Sequence, residues 1–447
     1  MSIADFSGRI RPDACPGALQ VHEAADGPLA RVRLPGGAAS AAQLHALADC
    51  AETFGSGVIE LTSRANVQVR GLHSPAAFAQ HLAAAGLLPS AGHERVRNIV
   101  ASPLSGRGDG GVLDVVALVE ELDRALCARP RLAELPGRFL FALDDGSGDV
   151  AGLGADVTYA GEDSRGGRLL LAGEDMGLRC GPEAAVPLMI AAAEAFLDER
   201  SGDAPRAWRI HELENGPSRI TTRLTTDLDT RSTVRRPTAD PVTGSAVHHE
   251  PALPERVGVA ARRAGRRVQR DGRVALEVLV PLGRLTPAQL RALADTGPTV
   301  RLTPWRTAVS LDLSPAEADR AERALSGAGL ITDPASPWAG VTACTGRPGC
   351  GKALADVQAD ARRWVEGLTP PALAVKGTTP PIPGVEGLVP PNFGVEATAP
   401  PDPAVDGLDR IPGTPVHWAG CERRCGLPRG RVVELIATGD GYRRQPE

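Results

Sequence analysis

The sequence predicts an α+β protein organised around an internal twofold repeat, and three observations carry that prediction. LPGGAASAAQLHALADCA (34–51) is matched by VPLGRLTPAQLRALADTG (280–297). Each is followed by an alternating run, VIELTSRANVQVRGL (58–72) and TVRLTPWRTAVSLDL (299–313). Each is also preceded by one, LARVRL (29–34) and VALEVLVPL (274–282). Period-two alternation predicts half-buried strands, and the central segments have helical periodicity, so each copy reads strand, helix, strand. One copy alone would leave a sheet face uncovered, so the two are expected to pack into a single pseudo-symmetric unit.

An α/β segment separates the copies. VLDVVALVEELDRALCA (112–128) and EAAVPLMIAAAEAFLDER (183–200) predict helices; RFLFALDD (138–145) and RLLLAG (168–173) predict strands. The polar stretch TRSTVRRPTADPVTGSAVHHEP (230–251) reads as a linker in which His248 and His249 are solvated. After the second copy, CGKALADVQADARRWVEGL (350–368) predicts a helix opening at Cys350. Proline density in 375–409 blocks helices and sheet ladders, which predicts an extended surface insertion. The expected division is a first half-domain in 1–80, a central α/β lobe in 90–228 and a linker in 229–252. A second half-domain in 253–330 and a last α/β lobe in 331–440 follow.

Composition narrows the class. Of 447 residues, 42% are hydrophobic, enough for a sizeable core, but aromatics are 3%, so Ala, Val and Leu must build it. A net charge of −5 argues against a general nucleic-acid binder. Lysine stands only at Lys352 and Lys376, so arginine supplies 47 of the 49 basic residues. The start, MSIADFSGRIRPDACPG, lacks the charged head and apolar run of a signal peptide. VPLMIAAAEAFL (186–197) is too short to span a bilayer and contains Glu194. A soluble cytoplasmic protein with no membrane partner is expected, and in that reducing compartment paired cysteines serve metal or redox chemistry more often than disulfides.

Eight cysteines are present, and four form two tight pairs: CTGRPGC (344–350) and CERRC (421–425). Three readings compete for Cys344, Cys350, Cys421 and Cys425: disulfides, a structural zinc site, or a [4Fe–4S] cluster on four thiolates. The compartment weighs against disulfides, and C-x5-C is an awkward zinc chelate. The flanking glycines (346, 349, 351, 420 and 426) favour the cluster, because they let backbone N–H groups approach inorganic sulfide. Arg423 and Arg424 add positive charge beside an anionic centre. Cys15, Cys50, Cys127 and Cys180 have no such spacing and read as small buried hydrophobes.

C-x5-C followed after a long interval by C-x3-C resembles the sirohaem-dependent sulfite and nitrite reductases. That resemblance implies two ferredoxin-like half-domains flanked by α/β lobes. RPDACPGAL (11–19), AWRIHELENG (207–216) and RLTPWR (301–306) look most like the precorrin-3B synthase branch of the superfamily. The likeness covers nearly the whole chain apart from the Pro-rich insertion. It implies an O2-dependent monooxygenase of aerobic cobalamin biosynthesis, hydroxylating the tetrapyrrole precorrin-3A and closing a γ-lactone. The implied cofactor is the [4Fe–4S] cluster, with a mononuclear non-haem iron as a further expectation. Sirohaem is implied only under the alternative of a sulfite or nitrite reductase.

The same resemblance implies an anion-gripping pocket. TSRANVQ supplies Arg64, Asn66 and Gln68, RNIVASP supplies Arg97 and Asn98, and LPGRFLF supplies Arg138. Planar guanidinium forks suit the carboxylates of a tetrapyrrole. On an alternating strand, Arg64, Asn66, Gln68 and Arg70 share one face, which either lines a pocket or is a solvated outer sheet face. The third segment departs from the reductase pattern: two residues beyond Arg138 stands Leu140, where a second basic residue is expected. Losing that cation weakens the case for six-electron anion reduction. GSGDVAG (146–152) follows a strand as a dinucleotide loop does, but no helix is expected after it, and SGRGDGG (105–111) reads as a plain loop. With no flavin or nicotinamide site, electrons must come from an external donor, an NAD(P)H-linked reductase or a ferredoxin. His417 reads as an iron ligand or substrate-orienting group, or else as a packed strand residue.

Overall fold

The computed structural model describes residues 13–202, 206–228, 264–367, 414–428 and 430–445. The expected linker and the Pro-rich insertion lie outside the described residues. The chain forms two compact units, 1–340 with 349–351, and 341–348 with 352–447.

In the first unit, the first copy of the repeat runs β1 (His22–Ala24), β2 (Gly27–Val32), β3 (Ala38–Ser40), α1 (Ala41–Phe54), β4 (Ile59–Leu61), β5 (Val67–Val69) and α2 (Pro75–Ala84). The central lobe runs β6 (Ile99–Ala101), α3 (Val116–Cys127), β7 (Phe141–Asp144), β8 (Val157–Asp163), β9 (Gly166–Leu171), β10 (Glu174–Cys180), α4 (Pro182–Gly202) and α5 (Gly216–Leu228). The second copy runs β11 (Gly265–Val268), β12 (Val274–Leu279), β13 (Arg284–Leu285), α6 (Pro287–Ala294), β14 (Thr299–Leu302), β15 (Thr307–Leu313) and α7 (Pro315–Gly327).

The two copies exchange strands. One sheet has the order β1-β2-β5-β4-β13, the other β11-β12-β15-β14-β3, so each contains one strand from the opposite copy. The symmetry reaches the helix caps: Ser40 with Gln43 and Thr286 with Gln289 form matching capping boxes at the starts of α1 and α6. It also reaches the backbone. Gly36 and Leu282 share φ values of 62° and 54°, and Ala65 and Arg306 share 56° and 61°. Leu44, Leu47, Val67, Val69, Leu276, Val278, Leu290 and Leu293 belong to one buried core common to both copies. The central lobe has its own core, in which Phe139, Phe141, Phe196 and Tyr159 pack with the inner faces of α3 and α4.

One expectation is corrected by the turn at Thr62–Asn66. VIELTSRANVQVRGL is not one strand but a hairpin, β4 and β5, closed by Thr62 N donating to Asn66 O at 2.9 Å. Ala65 takes positive φ there, and Thr62 Oγ1 accepts from Asn66 N at 3.1 Å. Arg64 therefore sits on a turn, not on a strand face. TVRLTPWRTAVSLDL folds the same way, as β14 and β15.

The second unit holds β16 (Val341–Ala343), α8 (Val357–Gly367), β17 (Val416–Ala419), β18 (Val433–Ala437) and β19 (Tyr442–Gln445). Its sheet has the order β16-β17-β18-β19, with β16, β17 and β18 parallel and β19 antiparallel. The helix expected to open at Cys350 starts at Val357 instead. Arg347 N and Nε bond the carbonyls of Ala355 and Ala353, and Leu354 N bonds Gly420 O, so the backbone groups a longer helix needs are already engaged.

Candidate functional site

Three arginines of the first unit lie together without a carboxylate ion pair among the described residues. Arg31 is on β2, Arg33 follows it at the strand's end, and Arg64 projects from the β4–β5 turn. Arg31 Nε donates to Gln68 Oε1 at 3.0 Å, and Arg64 Nη1 to Gly137 O at 3.0 Å. Arg33 is only 2% exposed and finds carbonyls, with Nη2 on Arg95 O at 3.0 Å and Nη1 near Arg31 O at 3.4 Å. Its Nε has no hydrogen-bond partner among the described residues. Burial lowers the affinity of all three for their protons, to well below the usual value at Arg33 and to about 10 at Arg64. Neighbouring guanidinium groups add to this: Arg209 acts on Arg64, and Arg31 on Arg33. Burying such ions without a paired carboxylate costs several kcal/mol each.

The residues around the cluster are already engaged. Arg209 Nε is paired with Asp156 Oδ2 at 2.6 Å. The segment Asp13–Gln20 folds over the arginines. Glu94 anchors it by accepting from the amides of Ala18, Leu19 and Gln20 at 2.6, 2.6 and 2.9 Å. Asp13 accepts from Gly137 N and from Cys15 N. Cys15, expected to be a core residue, is half-buried, and burial raises its thiol pKa.

The residues named from sequence divide into groups. Arg64 joins the cluster. Asn66 and Asn98 are fully buried brackets: Asn66 Oδ1 accepts from Leu34 N at 2.9 Å, its Nδ2 donates to Asn98 Oδ1 at 3.2 Å, and Asn98 Nδ2 donates to Gly137 O at 2.9 Å. Gln68 lies in a row that crosses four strands, accepting from Arg31 and donating to Glu60, which binds Arg284. Arg70 is held by Asp26 and Glu60. Arg97 grips Asp123 through Nε and Nη2, each at 2.7 Å, so its charge is spent within the fold. Arg138 is exposed, with its guanidinium carbon 4.9 Å from the centre of the Trp208 ring. Leu140 is buried among Ala65, Val100 and Ala142. Sequence reasoning missed Arg31, Arg33 and Arg209; the signal for the first two was the Arg-x-Arg alternation in LARVRL.

Cysteine loops follow two adjacent parallel strands of the second unit. Cys344 comes directly after β16, and Gly420–Cys421 directly after β17, whose pairing aligns Ala343 with Trp418. Cys344 N donates to Trp418 O at 2.9 Å, and Gly420 N points at Cys344 Sγ at 3.1 Å. A Cβ on Gly420 would lie 2.8 Å from the Cβ of Ala353 and 3.4 Å from that sulfur, so only glycine brings this amide so close. Arg424 N bonds Cys421 O at 3.1 Å in the turn leading to Cys425, which is exposed. Gly349–Gly351, carrying Cys350, belongs with the first unit, where Arg70 Nη2 donates to Gly349 O at 2.8 Å. Among the described residues no two cysteines form a disulfide. A thiol donor set with an amide aimed at sulfur fits an iron–sulfur cluster.

His417 is fully buried on β17 with Nδ1 2.9 Å from Thr342 Oγ1. The GSGDVAG loop is no phosphate cradle. Asp144 fills it, accepting from the amides of Gly146, Gly148, Val150 and Ala151 at 2.8–3.0 Å.

Known proteins share this architecture. The nitrite/sulfite reductase ferredoxin-like half domain matches residues 22–77 and again 267–328, the two copies of the repeat. The similarity to that half domain thus occurs twice, once in each copy. A precorrin-3B synthase from Sinorhizobium sp is 26% identical over 447 residues, covering 97% of this chain and 82% of the synthase. A sulfite reductase (ferredoxin) from Mycobacterium tuberculosis (strain ATCC 25618 / H37Rv) is 27% identical over 364 residues, 76% of this chain. The chain spans 62% of that reductase's own length. Among solved structures, the Mycobacterium tuberculosis NirA protein superposes with a TM-score of 0.68 at 22% identity, covering 93% of this chain and 73% of its own. The fold class is that of the sulfite and nitrite reductases, as the cysteine motif implied. Among the described residues no helix is long and apolar enough to cross a membrane.

Proposed function

We propose that this oxidoreductase-superfamily chain is a precorrin-3B synthase, an O2-dependent monooxygenase that hydroxylates precorrin-3A and closes a γ-lactone from a ring acetate. The observation that carries the reading is the cluster of Arg31, Arg33 and Arg64, buried or half-buried and without a carboxylate ion pair among the described residues. A tetrapyrrole bearing many carboxylates supplies the counter-charge, and forked guanidinium groups fix its orientation as well as its charge. Arg138, exposed beside Trp208, extends the grip, and Asn66 and Asn98 hold the Gly137 peptide to which Arg64 is bonded. Arg97 is given no part in binding, because Asp123 already neutralises it. Nearly full-length similarity to a synthase supports the assignment.

Cys344, Cys350, Cys421 and Cys425 would hold a [4Fe–4S] cluster, and Gly420 N would soften the charge on Cys344. When bound, the cluster supplies electrons one at a time, from a ferredoxin or an NAD(P)H-linked reductase. His417 is given no role as the ligand of a separate iron.

A sirohaem sulfite or nitrite reductase is the second reading, favoured by the paired half domains and the reductase relatives. Leu140, buried in the core where the reductase pattern calls for a cation, weighs against it. The deciding experiment supplies precorrin-3A, reductant and O2 and weighs the product. A mass gain of one oxygen atom, dependent on O2, is expected. Sirohaem absorption with viologen-driven sulfite reduction and an unchanged tetrapyrrole would overturn it.

A further inference from the structure

Oxidisable aromatic side chains are scarce in this sequence, five Trp and two Tyr in 447 residues, yet three of the seven converge in the second unit. Trp418 is 1% exposed, and its backbone carbonyl receives the amide of Cys344. Tyr442 stands edge-on to it with ring centres 4.8 Å apart, and Trp364 lies 6.0 Å away on a T-shaped approach. The Tyr442 hydroxyl donates to Asp360 Oδ2, while Arg363 takes Oδ1. Burial and Asp360 both push the phenol pKa upward, so Tyr442 keeps its proton at neutral pH. Tyr442 and Trp364 are half-buried, so the group of rings leads from the cysteine loops towards solvent.

The other tyrosine makes a useful contrast. Tyr159 is fully buried, and its hydroxyl donates at 3.2 Å to the carbonyl of Cys180, a group that cannot keep a proton. An oxidised phenol is a very strong acid and must shed its proton at once. Tyr442 alone has a carboxylate in place to take it.

We propose that Trp418, Tyr442 and Asp360 form a proton-coupled electron source that protects the cysteine loops from oxidation. A one-electron oxidant derived from dioxygen, formed beside a metal centre that those loops would hold, would take an electron through the Trp418 ring from Tyr442. The phenolic O–H bond breaks and its proton passes to Asp360 Oδ2, leaving a neutral tyrosyl radical, a carboxylic acid and an oxidant reduced by one electron. A small-molecule thiol at the surface gives a hydrogen atom to the tyrosyl radical, the thiyl radicals from two such events couple to a disulfide, and Asp360 releases its proton to water. Oxidising equivalents thus end on a side chain that can be restored, not on thiolates, whose oxidation past the sulfenic acid is irreversible. The link to the loops rests on the iron–sulfur reading; the tyrosine and its base do not.

Two experiments test this. In the first, the full chain is flashed with a ruthenium tris-bipyridine photo-oxidant and persulfate, and tyrosyl radical is followed by its absorption and by spin resonance. Wild type and Tyr159→Phe should give the radical, and Tyr442→Phe should not. Tyr442→Phe keeps the ring contact with Trp418, so circular dichroism should show it folded. Asp360→Asn should slow radical formation by roughly 100-fold. A radical that persists in Tyr442→Phe, or a rate unchanged in Asp360→Asn, overturns the proposal. In the second, iron-loaded protein is mixed with hydrogen peroxide and freeze-quenched. The Tyr442 signal should appear in wild type and vanish in Trp418→Leu; no signal in iron-loaded wild type overturns the link to the loops. Failure of the protein to bind iron at all overturns the cluster reading instead, and leaves the flash result standing.

Discussion

Arg284 donates through both Nε and Nη2 to one oxygen of Glu60, at 3.0 and 2.8 Å, from a strand that the second copy of the repeat gives to the sheet of the first. The same carboxylate takes Arg70 at 3.3 Å and Gln68 at 3.1 Å, and Gln68 takes Arg31. Glu60 thus ties the strand exchange to the arginine cluster. Glu60→Ala should destabilise the protein by about 3 kcal/mol, since it strands buried cations, and urea denaturation will measure it. The double variant with Arg284→Ala should cost less than the sum of the two singles.

Arg33 carries the opposite expectation. Arg33→Met removes a buried charge that has no ion pair among the described residues, so the ligand-free protein should gain about 1 kcal/mol in stability. Its affinity for a polycarboxylate porphyrin should fall by about tenfold or more. Thermal melting and a fluorescence titration read the two effects separately. Loss of both would mean Arg33 is structural.

Gly37 tests the backbone of the exchange. Its φ is +69°, and an added Cβ would lie 1.9 Å from Leu302 O. Gly37→Ala should cost about 3 kcal/mol, from strain and from disturbing β14. Gly152→Ala, where no atom lies within 4 Å, should stay within about 0.5 kcal/mol.

Cys180 gives a pH signature. Burial, then Glu183, raises its thiol pKa from 9.0 to about 11. The folded state therefore holds a proton that the unfolded state releases. That contribution is complete below pH 9 and is lost as pH rises towards 11. Denaturation midpoints should fall across this window, and Cys180→Ala should flatten the slope.

Cys425→Ala should abolish the brown visible chromophore and lower the iron content of anaerobically purified protein. An unchanged spectrum would remove Cys425 from the ligand set.

The repeat was legible because its signals are local: S-x-x-Q and T-x-x-Q caps, each ahead of the same helical pattern. The cysteine spacing was legible for the same reason. Strand exchange was not, because β3 and β13 are three and two residues long and too short to leave a periodic trace. The hairpin at Arg64 was hidden by Ala65, which takes positive φ without being glycine. Arg97 and Arg33 exchanged roles for a reason no motif carries. Asp123 lies one helix away and neutralises the first, whereas nothing comparable reaches the second.

The edge of β4 stays open during synthesis until Arg284, 224 residues further along, has left the ribosome. In the same way β3 waits for β14. The nascent first copy thus carries an unpaired strand for half the length of translation, the state in which chaperones are needed and neighbouring chains cross-pair. Both sheets are finished only when the second copy arrives, so their completion is one late, cooperative event.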